Sequence, residues 1–157
     1  MSALQRCMHL WMDRTELKQQ ALKFLVRREY SKRELRSRLA EKCDDNDAID
    51  AALSELETEG WLSDARYVEQ ILNARLGRYG REHVVHELRS KGVSEALIDE
   101  ALPRIMEMET DALKSVWEKK FGKKPCDRKE LGRQVRFLQS RGFSLGEIMK
   151  LIGHFED

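Results

Sequence analysis

The phrase LRSKGVSEALIDEAL occupies residues 88–102, and LQSRGFSLGEIMKLI occupies residues 138–152. In both, a leucine leads to a serine, a base and a glycine, and Ser94 aligns with Ser144. The apolar positions coincide too: Val93 with Phe143, Ile98 with Ile148, Leu102 with Ile152. A weaker third copy precedes them, since Leu39 in LAEKC stands 49 residues before Leu88. A period near fifty residues points to a tandem array whose neighbouring units complete one another's cores. It suits an extended binding surface better than a single catalytic centre.

The period of each unit is helical. Leu17, Ala21, Leu22 and Leu25 form an apolar stripe. Ser31 with Glu34 reads as a capping box that opens a second helix through Leu35 and Leu39. The acidic run Asp44–Asp47 caps a third, with Ile49, Ala52, Leu53 and Leu56 inward and Gly60 past its end, where Trp61 or Leu62 can fold back. The pattern restarts at Ser63 or Asp64 with Val68, Ile71 and Leu72, passes through Val84, Val85 and Leu88 to Gly92, and resumes at Ser94 with Leu97, Ile98, Ala101 and Leu102. A third round begins near Thr110 with Leu113, Val116, Trp117 and Phe121. After GKKPCD, Asp127 with Glu130 caps Leu131, Val135 and Leu138, and Ser144 with Glu147 caps Ile148, Leu151, Ile152 and Phe155. No segment alternates as a strand does. The expected fold is all-α: tandem three-helix repeats, three units and about nine helices, with residues 1–14 a tail or extra helical turn and repeats at 15–62, 63–106 and 107–157.

Hydrophobic residues make up 41% and charged residues 36% of the 157, enough for several thin cores. The net charge of +1 conceals blocks: +6 over residues 18–42, −7 over 43–66, +3 over 75–91, −5 over 93–111 and +7 over 114–141. Such blocks are expected to place opposite potentials on different parts of the surface. Cys7, Cys43 and Cys126 are scattered without C-x-x-C spacing, which reads as reduced thiols, with no disulfide framework and no zinc site. With no span-length apolar run and no signal-peptide core, a bacterial cytoplasmic protein without membrane partners is expected.

Motifs for catalysis are scarce. There is no Walker loop, no G-x-G-x-x-G and no G-x-S-x-G. His83 and His86 share a helix face but lack a third ligand and the H-E-x-x-H order. Neither an enzyme, a metal nor a cofactor is expected. Basic positions say more. Lys129, Arg133 and Arg136 keep the spacing of Leu131, Val135 and Leu138, rotated by about half a turn. With Lys119, Lys120, Lys123, Lys124 and Arg141 they make a surface suited to phosphates, hence to single- or double-stranded DNA without sequence preference. Arg75 falls on an apolar stripe, either as a structural ion pair with Asp64 or Glu59 or as a contact residue. Tyr79, between Arg78 and Arg81, either stacks on a base or a partner, or covers its turn.

LVRREYSKRELRSRL at 25–39, EGWLSDARYVEQILNARLGRYG at 59–80 and ELRSKGVS at 87–94 resemble the RecX family of recombinase regulators. An Arg before S-x-x-E-L-x-x-x-L is matched by Arg27 or Arg28, Ser31, Glu34, Leu35 and Leu39. The pattern G-(aromatic)-L-x-D-x-R-(aromatic) is matched by Gly60, Trp61, Leu62, Asp64, Arg66 and Tyr67. Arg75, Gly80, Leu88, Lys91 and Gly92 match the central part. Two positions depart: Arg81 follows Gly80 where Gly-Pro is usual, and Cys43 replaces the usual glycine after Lys42.

The resemblance implies an elongated, curved array, a monomer, that binds in the groove of the RecA–DNA filament. It implies inhibition of ATP hydrolysis, strand exchange and coprotease activity. Partner-binding positions then include Arg27, Arg28, Arg66, Tyr67, Arg75 and Lys91, with the neighbouring Arg78, Tyr79, Arg81 and Arg89. On this reading the phrase recurs because the recognised surface is itself repetitive. Two rivals stand beside it: a helix-turn-helix DNA-binding regulator without a recombinase partner, and a protein-interaction scaffold whose bases meet acidic partners.

Overall fold

The computed structural model describes residues 12–153. Most of the expected N-terminal tail, with Cys7, and the core position Phe155 lie outside the described residues. Among those described there are eight helices and no strand: α1 (Arg14–Leu25), α2 (Lys32–Ala40), α3 (Asn46–Thr58), α4 (Asp64–Arg75), α5 (Arg81–Ser90), α6 (Glu95–Lys120), α7 (Arg128–Ser140) and α8 (Leu145–Ile152). They gather into two compact units, one reaching Gln70 and including Lys91–Val93, the other comprising Ile71–Ser90 and Ser94 onward.

In the first unit, Leu17 and Ala21 of α1, Leu35 and Leu39 of α2, and Ile49, Ala52, Leu53 and Leu56 of α3 are fully buried. Their spacing of three and four residues is the helical period that the sequence displays. Ser31 caps α2 by accepting from Glu34 N at 3.1 Å. The expected reciprocal half of the box is absent, because the Glu34 carboxylate is bonded to Arg28 instead. Gly60 takes φ +81° after α3, and both Trp61 N and Leu62 N bond to Leu56 O. Leu62 folds back into the core at 2% exposure, while Trp61 stays 55% exposed.

In the second unit the boundary expected between residues 106 and 107 falls inside a continuous helix. The second repeat's third helix and the third repeat's first helix run together as the 26 residues of α6, which passes through Pro103. Ile98, Ala101, Ile105, Ala112 and Leu113 form its buried stripe. Ala112 and Leu113 join Leu138, Phe143, Ile148 and Ile152 in a core lined by Val116, Trp117, Leu131 and Val135. One polar side chain is buried with them: Gln134 accepts from Trp117 Nε1 at 2.9 Å and donates to Lys123 O at 3.0 Å. Both halves of its amide are thus satisfied, as burial requires.

The repeated Ser-(base)-Gly has a structural cause. In the first unit, Ser31 Oγ donates to Lys91 O at 2.7 Å, and Gly92, at φ +75°, leaves room for the Arg33 side chain. In the second unit, Gly80 N donates to Arg141 O at 2.8 Å, and Gly142, at φ +89°, lies against the backbone of His83. Ser31 precedes Gly80 by the same 49 residues that separate Leu39 from Leu88, and Lys91 precedes Arg141 by 50. One joint is therefore written twice. The phrase recurs where helices pack together. Cys43, at the matching place in the first copy, is buried with negative φ, so that position forms no such joint.

Candidate functional site

Charge blocks in the sequence do not all survive folding as blocks. In the first unit the bases of α1 and α2 meet the acids of α3. Lys18 bonds to Glu59 at 2.7 Å, Arg36 holds Asp50 through Nε at 2.7 Å, Arg14 reaches Glu55 at 3.0 Å, and Lys32 pairs with Glu57. The Arg36 hydrogen bonds hold the Asp50 carboxyl below its usual range. The expected separation of potentials is corrected here in part, since Lys18, Lys32 and Arg36 of the +6 block pair with acids of the −7 block.

Five of the ten predicted partner residues are also tied to carboxylates, though not to those of α3. Arg28 forks onto Glu34 at 2.6 and 3.3 Å and lies 3.6 Å over the Tyr30 ring. Arg66 joins Glu29 at 2.9 Å and Gly60 O at 2.7 Å, and Lys91 stands 3.8 Å from Glu34. Arg89 forks onto Glu95 at 2.8 and 3.0 Å. Asp64 accepts from Lys32 N at 2.8 Å, so it serves the start of α2. Arg75 finds neither Asp64 nor Glu59; its guanidinium grips Glu87 of α5 at 2.8 and 3.0 Å. Tyr67, expected at the partner surface, is 1% exposed. It packs inside because it continues the buried stripe of Val68, Ile71 and Leu72. Arg27 and Arg78 are exposed and make no ion pair among the described residues.

The +7 block behaves differently. Among the described residues, Lys119, Lys120, Lys123, Lys124, Lys129, Arg136 and Arg141 pair with no carboxylate, and Arg133 has only a 3.7 Å contact with Glu130. Glu130 itself accepts from Cys126 N and Sγ, at 3.3 and 3.0 Å. Three of these cations lie over aromatic rings. Arg133 lies 5.6 Å over Phe121, which meets Phe137 edge-on at 5.5 Å. Lys120 and Arg141 lie 5.3 and 5.4 Å from the Phe137 centroid. Arg141 is also 5.2 Å from Tyr79, whose ring stacks on His83 at 4.1 Å and has Arg75 at 5.7 Å. Cations held over rings are positioned yet keep their charge, whereas carboxylate partners would cancel it.

Within this ladder Arg78, Lys119, Lys120 and Arg141 surround a cleft of about 310 Å³ floored by Val116 and Phe137. Sequence reading assigned Arg78 and Tyr79 to one partner and the lysines to another; the fold brings them together. It missed Phe137 as a site residue, although its place between Arg136 and Leu138, at the edge of the core stripe, was the available signal. A second groove of about 520 Å³ lies between α5 and α6, with Val85, Leu102 and Met106 as its apolar lining and Arg81 and Arg89 beside them. His86 also lines this groove, and among the described residues no group of three His, Cys, Asp or Glu is placed to hold a metal. No helix among them is long and apolar enough to cross a membrane.

Comparison with known proteins follows the three-part division. Residues 18–56, 63–102 and 107–152 match the first, second and third three-helix domains of RecX. The regulatory protein RecX of Ralstonia pickettii is 38% identical over 136 residues, 87% of this chain and 86% of that one. That of Leptothrix cholodnii is 38% identical over 144 residues, 90% and 92% of the two chains. A crystal structure of RecX from Lactobacillus salivarius superposes with a TM-score of 0.72 at 17% identity, covering 89% of this chain and 94% of that one. Another regulatory protein RecX gives 0.74 at 20% identity, covering 88% and 72%. Fold, repeat count and sequence identity agree, and the chain belongs to the RecX family of regulatory proteins.

Proposed function

We propose that this chain is a negative regulator of the RecA recombinase, binding along the RecA–DNA filament and restraining its ATPase, strand-exchange and coprotease activities. The observation that carries the reading is the unequal treatment of charge. In the 18–42 block Lys18, Lys32 and Arg36 are tied to acids of α3 and its C-cap, whereas in the 114–141 block Lys120, Arg133 and Arg141 lie over aromatic rings. A filament presents both protein and phosphate, and the second unit carries a surface for each. The basic strip suits phosphates through charge neutralisation. The α5–α6 groove, with Met106 52% exposed, offers apolar area to a protein.

The proposed action is by binding rather than by catalysis. The test is RecA ATPase on single-stranded DNA, titrated with this protein well below the DNA concentration, beside a protein that merely coats DNA. Inhibition at substoichiometric amounts is expected. Inhibition only when the DNA itself is saturated would replace the filament with simple competition for phosphates.

A further inference from the structure

The cleft among Arg78, Lys119, Lys120 and Arg141 has the attributes of a defined subsite. It is bounded by parts of the chain that the fold fixes: the turn after α4, the last turn of α6 and the end of α7. The turn is anchored by Gly80 N on Arg141 O, which ties the backbones of two of its walls together. Its floor is apolar and aromatic, while its rim carries four cations without a carboxylate partner among the described residues. Its volume of about 310 Å³ lies at the small end of ligand pockets and is too narrow for the width of a duplex.

We propose that this cleft holds one nucleotide of a single-stranded nucleic acid, its phosphate taken by Lys119, Lys120, Arg78 and Arg141 and its unstacked base laid on Phe137 and Val116. A strand is favoured over a free nucleotide because the ladder does not stop at the cleft. Arg133 over Phe121 continues it on one side, and Tyr79 with Arg75 continues it on the other. Aromatics interleaved with cations are what single-strand recognition uses, stacking supplying what pairing cannot. A duplex keeps its bases stacked and offers only phosphates to such a site. The site rests on the proposed DNA-facing role of the second unit, but it makes a claim that can be tested without the recombinase.

The experiment measures binding of the full chain to a labelled oligothymidylate, by anisotropy, across a salt series, with a duplex of equal length and with ATP as competitors. K119Q/K120Q/R141Q is expected to weaken the single strand at least tenfold and to flatten the salt slope by about 0.7, as one fewer neutralised phosphate requires. F137L keeps the apolar packing and all charges; it is expected to cost the single strand severalfold while leaving duplex binding within twofold. K129Q/R133Q/R136Q, on α7, is the matched-charge control, and it must cost less than the cleft triple. Equal losses in the two triples would mean diffuse charge and would overturn the subsite. So would an F137L variant whose circular dichroism and melting are unchanged and whose single-strand affinity is also unchanged. ATP competing as well as the oligomer, nucleotide for nucleotide, would assign the cleft to free nucleotides. None of these results bears on filament inhibition, which the ATPase titration decides separately.

Discussion

The residue with most structural consequence per atom is Gly142. Its φ of +89° lies in the left-handed region that L side chains avoid, and a Cβ there would sit 2.5 Å from His83 N and Cβ. Gly80, on the other side of the joint, has no conformational demand, yet a Cβ on it would stand 2.6 Å from Phe143 N. Both neighbours are backbone, so neither can swing away. Gly142→Ala is therefore expected to destabilise by about 2–4 kcal/mol, combining left-handed strain with overpacking. Chemical denaturation at neutral pH reads this as a lower midpoint at unchanged slope. A loss below about 1 kcal/mol would mean that the joint opens freely. The same geometry explains why the family-like glycine is dispensable at Cys43, which stays in ordinary backbone space and fills the core with its side chain.

At the scale of elements, helix identity was legible and one boundary was not. The stripes of α1 to α3, α7 and α8 are periodic enough to be read directly, and their caps Ser31, Ser94, Asp127 and Ser144 act as written. Capping boxes were legible only in half: Glu130, for example, turns to Cys126 rather than to its cap. The boundary expected between residues 106 and 107 was to separate two helices, which α6, with Pro103 inside it, joins into one. In α6 the proline is exposed, and the stripe Ile98, Ala101, Ile105, Ala112 runs past it on the buried face. Burial along that stripe outweighs one missing backbone hydrogen bond. Pro103→Ala is accordingly expected to stabilise by about 1–3 kcal/mol, restoring a donor to the carbonyl of Asp99. A rise in the urea midpoint checks it; an unchanged midpoint would mean that the helix is already bent there by its packing. The site was less legible for a different reason. Pairing of Arg28, Arg66 and Arg89 with Glu34, Glu29 and Glu95 depends on tertiary approach or on side-chain reach across a turn, which a charge count cannot report.

For the whole molecule, near-neutrality is a balance that acid destroys in two ways. Asp50 and Glu95 are held below the usual carboxylate range, first by hydrogen bonds from Arg36 and Arg89, and Glu130 first by the Cys126 thiol. Each has a lower pKa folded than unfolded, so the unfolded chain binds more protons as acid is added. Their stabilisation is present above the ordinary carboxylate pKa of about 4 and is lost as pH falls through the folded values. Meanwhile 29 Lys and Arg remain charged as 28 Asp and Glu are neutralised, and self-repulsion grows. The melting temperature should hold nearly level from pH 7 to about 5 and fall steeply below about 4. Salt separates the two causes, because repulsion between distant charges is screened while direct hydrogen bonds persist. Adding sodium chloride at pH 3.5 is expected to recover part of the lost melting temperature in the parent. The D50N/E95Q variant should melt lower than the parent at pH 7 yet decline less between pH 5 and pH 3, having already given up those two contributions. A parallel decline in the two proteins would leave net repulsion as the whole cause and remove these carboxylates from the account of acid stability.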